Sequence, residues 1–300
     1  MNNSYDPNLI LYAQLSSSTF SIFVTTNRQI YVGDYTSIKS NSYSNQTISI
    51  ANVTSYNIPG LFVDLNNTLY CSMDFGHKVV NMSLNDSSST MTTVAGTGSQ
   101  GSASNMLKYP LGIFVDTNFD LYVADQQNNR IQLFHLGQTN GITVAGTGSA
   151  NLTISLNNPS HVILDGNKYL FIADCFNNRI IGSDANGFRC IVACSGQGST
   201  SNKLNYPKNI AFDNFGNLFV VDYNNHRIQK FCLSTNICNS RTKNKDLIFS
   251  FDYLGPTSTT TSTSTSTTTT TNVNQSKSLK EKFKRRKKFL FCSQHVDLLR

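Results

Sequence analysis

Along most of the chain, short runs of apolar side chains alternate with polar ones. Clusters of Asn, Asp, Gly and Ser separate these runs. A period of two, bounded by turn formers, predicts β-strands. The runs also repeat as blocks. LYVADQQNNRIQLF starts at Leu121, LFIADCFNNRII at Leu170 and LFVVDYNNHRIQKF at Leu218. Their acids Asp125, Asp174 and Asp222 lie 49 and 48 residues apart. A weaker copy, LYCSMDFGHKVV, places Asp74 51 residues upstream, and a degraded one, IYVGDYTSIK, places Asp34 another 40 upstream.

Each copy has the same surroundings. A Pro and a short apolar strand precede it: Pro59 then GLFVD, Pro110 then LGIFVD, Pro159 then HVILD, Pro207 then NIAFD. A closing strand follows, as TVAGTG at Thr93 and Thr143 and IVACSG at Ile191. The unit predicted is a four-stranded antiparallel meander rich in Val, Ile, Phe and Tyr. Such a sheet cannot bury both faces alone. Radial packing against similar sheets buries them and leaves only short edges. Repeats of this length read as propeller blades.

LFVVDYNNHRIQKF, with Asn225-His226-Arg227-Ile228, resembles the NHL repeat. The resemblance covers residues 20–235 and is sharpest in three copies. It implies an all-β, NHL-type β-propeller of six blades, of which five are recognisable near 20–40, 59–98, 110–148, 159–196 and 207–232. The propeller is expected over 1–255, with Leu9–Leu15 and Leu247–Phe251 as spare strand candidates for a sixth blade. The repeat's polar residues are expected to be structural. Asp74, Asp125, Asp174 and Asp222 can accept backbone N–H groups across a turn. Asn128, Asn177 and Asn225 suit a left-handed turn. Arg130, Arg179 and Arg227 can bridge to carboxylates or carbonyls of an adjacent blade, and His226 fills the repeat's own His position.

Composition adds a compartment question. There are sixteen Asp but a single Glu, Glu281, and no Trp. From Asn272 onward nine basic and two acidic side chains give +7, the whole net charge of the chain. Residues 1–271 hold 15 of each sign, so nucleic acid is not expected on the propeller. Residues 256–276 read as a Ser/Thr-rich linker. Residues 277–300 read as a basic tail, disordered or a short helix, able to touch an acidic surface. Eight N-x-S/T sequons occur, including Asn45, Asn52, Asn66, Asn81, Asn85 and Asn151 as N-glycosylation candidates. With seven Cys they favour an extracellular or cell-surface protein over a cytoplasmic one. No signal peptide opens the chain, so an N-terminus further upstream is expected.

Cys232 and Cys238 flank a short loop and form a disulfide candidate. Cys190 and Cys194 on one extended strand would lie about 13 Å apart, beyond the ~7 Å reach of a bridge. Each would then need another partner or a bulge. Gly96 to Gly101 match G-x-G-x-x-G, but no helix pattern follows, as a dinucleotide site requires. The five His show no ligand spacing, and no Ser-His-Asp set has supporting context. Neither a metal nor a cofactor is expected, and no catalytic residue is assigned. The reading is a non-enzymatic binding or scaffold module for a protein or a glycan. One alternative is the substrate- or RNA-recognition propeller of tripartite-motif ubiquitin ligases, with the ligase on another polypeptide. Another is a propeller lyase or lactone/ester hydrolase, which the resemblance permits.

Overall fold

The structure is a computed structural model, and it describes residues 21–25, 29–34, 37–41, 47–52, 57–86, 90–150, 153–232 and 295–297. Leu9–Leu15, Leu247–Phe251, the 256–276 linker, Asn45, Asn151 and Cys238 lie outside the described residues.

Five four-stranded antiparallel sheets follow one another along the chain. Blade 1 comprises β1 (Ser21–Val24), β2 (Ile30–Gly33), β3 (Ser37–Asn41) and β4 (Thr47–Asn52). Blade 2 comprises β5 (Leu61–Val63), β6 (Thr68–Met73), β7 (Lys78–Ser83) and β8 (Thr92–Ala95). Blade 3 comprises β9 (Pro110–Val115), β10 (Leu121–Asp125), β11 (Arg130–Phe134) and β12 (Ile142–Gly146). Blade 4 comprises β13 (Pro159–Leu164), β14 (Leu170–Asp174), β15 (Arg179–Asp184) and β16 (Gly187–Val192). Blade 5 comprises β17 (Pro207–Phe212), β18 (Leu218–Asp222), β19 (Arg227–Phe231) and, from the far end of the chain, β20 (His295–Asp297). Of the tail expected to be disordered or helical, these last three residues instead pair with β19. The pairing covers the outer edge of β19, and an uncovered strand edge is a liability.

The first strands form the inner ring. β1 packs beside β5, β5 beside β9, β9 beside β13 and β13 beside β17. Among the described residues the molecule is a β-propeller of five blades. The burial pattern explains the packing. Every residue of β10 is buried, so this strand faces a neighbour on both sides. Tyr122, Ala124 and Ile131 of blade 3 pack on Val162, Ile172 and Ile181 of blade 4. One blade further on, Phe171, Ala173 and Ile180 pack on Leu218, Val220 and Phe231. In blade 5 the corresponding Phe219, Val221 and Ile228 are only half-buried, and β18 alternates buried and half-buried. None of the three hydrophobic clusters joins blade 5 to blade 1.

Each of the outer strands β4, β8, β12 and β16 carries a one-residue bulge opposite the third strand. A bulge bends a strand and increases its twist. In blades 2 and 3 the strand ends in a left-handed glycine, Gly96 at φ 81° and Gly146 at φ 86°. A Cβ on either would meet the carbonyl oxygen of His77 or Asn129 at 2.3 or 2.2 Å. The G-x-G-x-x-G stretch is therefore a loop after a strand, with no helix.

Candidate functional site

The repeat's polar residues form one clamp in each of blades 3, 4 and 5. Asp125, Asp174 and Asp222 end their strands fully buried. In blade 3 one carboxylate oxygen of Asp125 accepts from Asn128 Nδ2 at 2.8 Å and from Arg130 Nε at 2.7 Å. The other accepts the backbone N–H of Lys108 at 2.7 Å. The free end of the Arg130 guanidinium donates to the carbonyls of Ser102, Ala103 and Met106. Those carbonyls belong to the loop that links blade 2 to blade 3. Blade 5 repeats the set. Asp222 holds Asn225 and Arg227, and Arg227 reaches the carbonyls of Ser199, Thr200 and Lys203. In blade 4 Asp174 holds Asn177 and Arg179, and Arg179 grips the Ser155 carbonyl at 2.8 Å. The forks were expected to reach an adjacent blade; each instead holds its own blade's aspartate and the carbonyls of the loop leading into that blade. Burial pushes the Asp125 carboxyl up, against the bonds it accepts from Asn128, Lys108 and Arg130.

The left-handed residue of this turn is not the one expected. Asn128, Asn177 and Asn225 spend their amides on the aspartate. The residues after them, Asn129, Asn178 and His226, take φ of 53°, 55° and 52°. Their side chains then reach the next blade. Asn129 Oδ1 accepts the N–H of Asn158, and Asn178 Oδ1 that of Tyr206, both at 2.8 Å. In blade 2, His77 Nδ1 accepts from Tyr109 at 3.3 Å. His226 has no such partner among the described residues. The sequence offers one signal for these seam bonds, the doubled Asn directly before Arg130 and Arg179, which becomes Asn-His before Arg227.

Blades 1 and 2 depart from the clamp. Asp74 accepts from Asn57 Nδ2 and the Phe75 N–H but meets no guanidinium, and burial raises its pKa. Asp34 accepts from Ser37 and from Lys39 Nζ at 2.8 Å, where the lysine is partly exposed.

The inner strands are mostly apolar, and besides Ser21, Ser160, Lys208 and Asn209 they carry one histidine, His161. Its ring lies over Gly112, where a Cβ would come 2.2 Å from Cδ2. It is 8% exposed and its Nδ1 has no partner. Burial lowers its pKa to about 4, which keeps it neutral. Among the described residues no three His, Cys, Asp or Glu side chains converge as metal ligands. A shallow hollow of about 260 Å³ between blades 2 and 3, lined by Thr93, Thr97, Asn105 and Thr139, holds no titratable group.

Cys190 and Cys194 do form a disulfide, with Cα atoms 5.7 Å apart. The β16 bulge and the left-handed turn at Ala193, φ 56°, shorten the extended span. Cys232 carries a free, buried thiol, and its candidate partner Cys238 lies outside the described residues. Cys71 and Cys175 are also free and buried, and burial raises both thiols.

The clamp turns share one face of the propeller with the linking loops, and that face carries exposed aromatic rings. Phe75, Phe176 and Tyr223 are 53%, 41% and 57% exposed. Phe75 meets Tyr109 edge-on with ring centres 5.5 Å apart, and Phe176 lies 5.0 Å from Tyr206, each pair spanning a seam. Lys208 Nζ sits 5.8 Å from the Tyr223 ring centre. The opposite face carries the turns between first and second strands, capped by Asp64, Asp116, Asp165 and Asp213.

Residues 204–231 match the family described as NHL repeat. Blade 5 is built on an NHL repeat. The matched stretch contains the NHL clamp of Asp222, Asn225 and Arg227 whole. Among curated proteins no match to the chain is found. Solved structures share the fold at low identity. A streptogramin B lyase aligns with a TM-score of 0.54 and 16% identity over 71% of this chain and 65% of its own. A nidogen/laminin complex gives 0.52 and 19% over 67% and 73%. An auxiliary nutrient binding protein from Bacteroides thetaiotaomicron gives 0.57 and 13% over 73% and 60%. The chain thus spans less than two thirds of the lyase's length.

Proposed function

We propose that this NHL propeller is a non-enzymatic recognition module, displayed outside the cell, that takes a protein or a glycan on its clamp face. The exposed rings of Phe75, Phe176 and Tyr223 on one face carry the reading. Aromatic side chains dominate binding hot spots because they bury large area at low entropic cost. The clamps beneath Phe176 and Tyr223 tie those turns to their linking loops, so little order must be created there on binding. The Cys190–Cys194 bridge and the sequons support an oxidising, secretory compartment. The balanced charge of residues 1–271 supports a ligand other than nucleic acid.

Arrays of glycans and extracellular proteins, probed with the full chain and with a Phe75→Ser, Phe176→Ser, Tyr223→Ser variant, test the reading. The expected result is a ligand whose affinity falls at least about tenfold in the variant, with the melting temperature unchanged. Binding indifferent to all three substitutions would remove the clamp face from the account. Chelator-sensitive turnover of a lactone, ester or streptogramin would replace it with an enzymatic one.

A further inference from the structure

We infer that Asn66 is the N-glycosylation site of blade 2, and that Asn81 and Asn85 stay unmodified. The inference rests on the secretory reading above. All three asparagines head sequons, and the structure separates them. Asn66 lies at the exposed tip of the turn between β5 and β6. One Asp64 carboxylate oxygen accepts the N–H groups of Asn66 and Thr68, each at 2.9 Å. The turn backbone is therefore fixed, while the Asn66 amide and the Thr68 hydroxyl make no hydrogen bond among the described residues. Asn66 is exposed and Thr68 half-buried.

The other two asparagines stand differently. Asn85 Nδ2 donates to the Asn66 carbonyl at 3.1 Å, and its Oδ1 accepts from Asn67 Nδ2 at 2.8 Å. A sugar on that nitrogen would displace the contact that ties the two turns together. Asn81 lies half-buried within β7, directly opposite Tyr70 of β6. A sugar there would have to leave through packed side chains. Leu65, next to Asn66, supplies an independent reason. It is 73% exposed on the same turn, and a glycan beside it would cover that apolar surface.

In the transfer, Asn66 Nδ2 attacks the anomeric carbon of a lipid-diphosphate-linked oligosaccharide. The new bond is C–N. The C–O bond to the diphosphate breaks, the lipid diphosphate leaves, and the amide proton passes to solvent. The sugar then stands on the Asp64 turn face, away from Phe75, Phe176 and Tyr223, and leaves the clamp face uncovered.

The test is the full chain carrying a secretion leader, made in a eukaryotic host and mapped by peptide N-glycosidase in heavy-oxygen water. The expected result is label at position 66, none at 81 or 85, and loss of that label in both Asn66→Gln and Thr68→Ala with the melting temperature unchanged. Folded, secreted protein that is bare at Asn66, or sugar at Asn81 or Asn85, overturns the inference. Because the leader forces the route, a naturally produced chain without sugar would count against the secretory reading and leave the site assignment standing.

Discussion

The two sides of blade 5 are built from similar residues and experience different surroundings. On the side towards blade 4, Leu218, Val220 and Phe231 are sealed against Phe171, Ala173 and Ile180. On the other side Phe219, Val221 and Ile228 occupy the positions of Phe171, Ala173 and Ile180, yet they stay half-buried. His226 likewise matches Asn178 in place and conformation but has no partner across a seam among the described residues. The difference teaches that a blade's chemistry is written for two neighbours. Burial, and with it most of the stabilisation, depends on which neighbours are present.

Four substitutions or conditions probe that difference. Arg227→Ala should have the largest effect, because it leaves Asp222 buried and charged and releases the linking loop. The expected loss is about 3–5 kcal/mol in a denaturant titration, and a loss under about 1 kcal/mol would show that water replaces the clamp. Ile180→Ala should cost about 2–4 kcal/mol, as expected for a cavity in a sealed seam. Acid should weaken the seam between blades 3 and 4. The folded protein keeps His161 neutral down to about pH 4, from an ordinary value of 6.5. The unfolded chain therefore binds the extra proton between these values, and stability falls as pH drops through that window. The drop should approach about 3 kcal/mol and should vanish in His161→Asn. Ile228→Ala should have the smallest effect, under about 1 kcal/mol. If it costs as much as Ile180→Ala, the outer side of blade 5 is covered in solution.

Much of this was legible in the sequence because the strand period and the Asp–Asn–Arg spacing are local. The arginine forks were expected to reach an adjacent blade and not their own, whereas Asp125, Asp174 and Asp222 were placed at strand ends from the repeat alone. The seam acceptors Asn129 and Asn178 were not, since their partners Asn158 and Tyr206 lie 29 and 28 residues away and carry no mark in sequence. The Cys190–Cys194 bridge was judged out of reach of an extended strand. Neither the bulge in β16 nor a left-handed Ala193, a rare conformation for alanine, shows in composition. The aromatic face was only partly legible, because Phe75 and Tyr223 directly follow their aspartates while Phe176 stands one residue further on, and their exposure shows only in the folded turns.

Arg130 and Arg227 hold their linking loops by main-chain oxygens alone. Every residue type offers such an oxygen. The side chains at Ser102, Ala103 and Met106, and at Ser199, Thr200 and Lys203, are thus released from any duty in the joint. Those loops can diverge freely over evolutionary time, or be rewritten by design, while the scaffold beneath them keeps its shape.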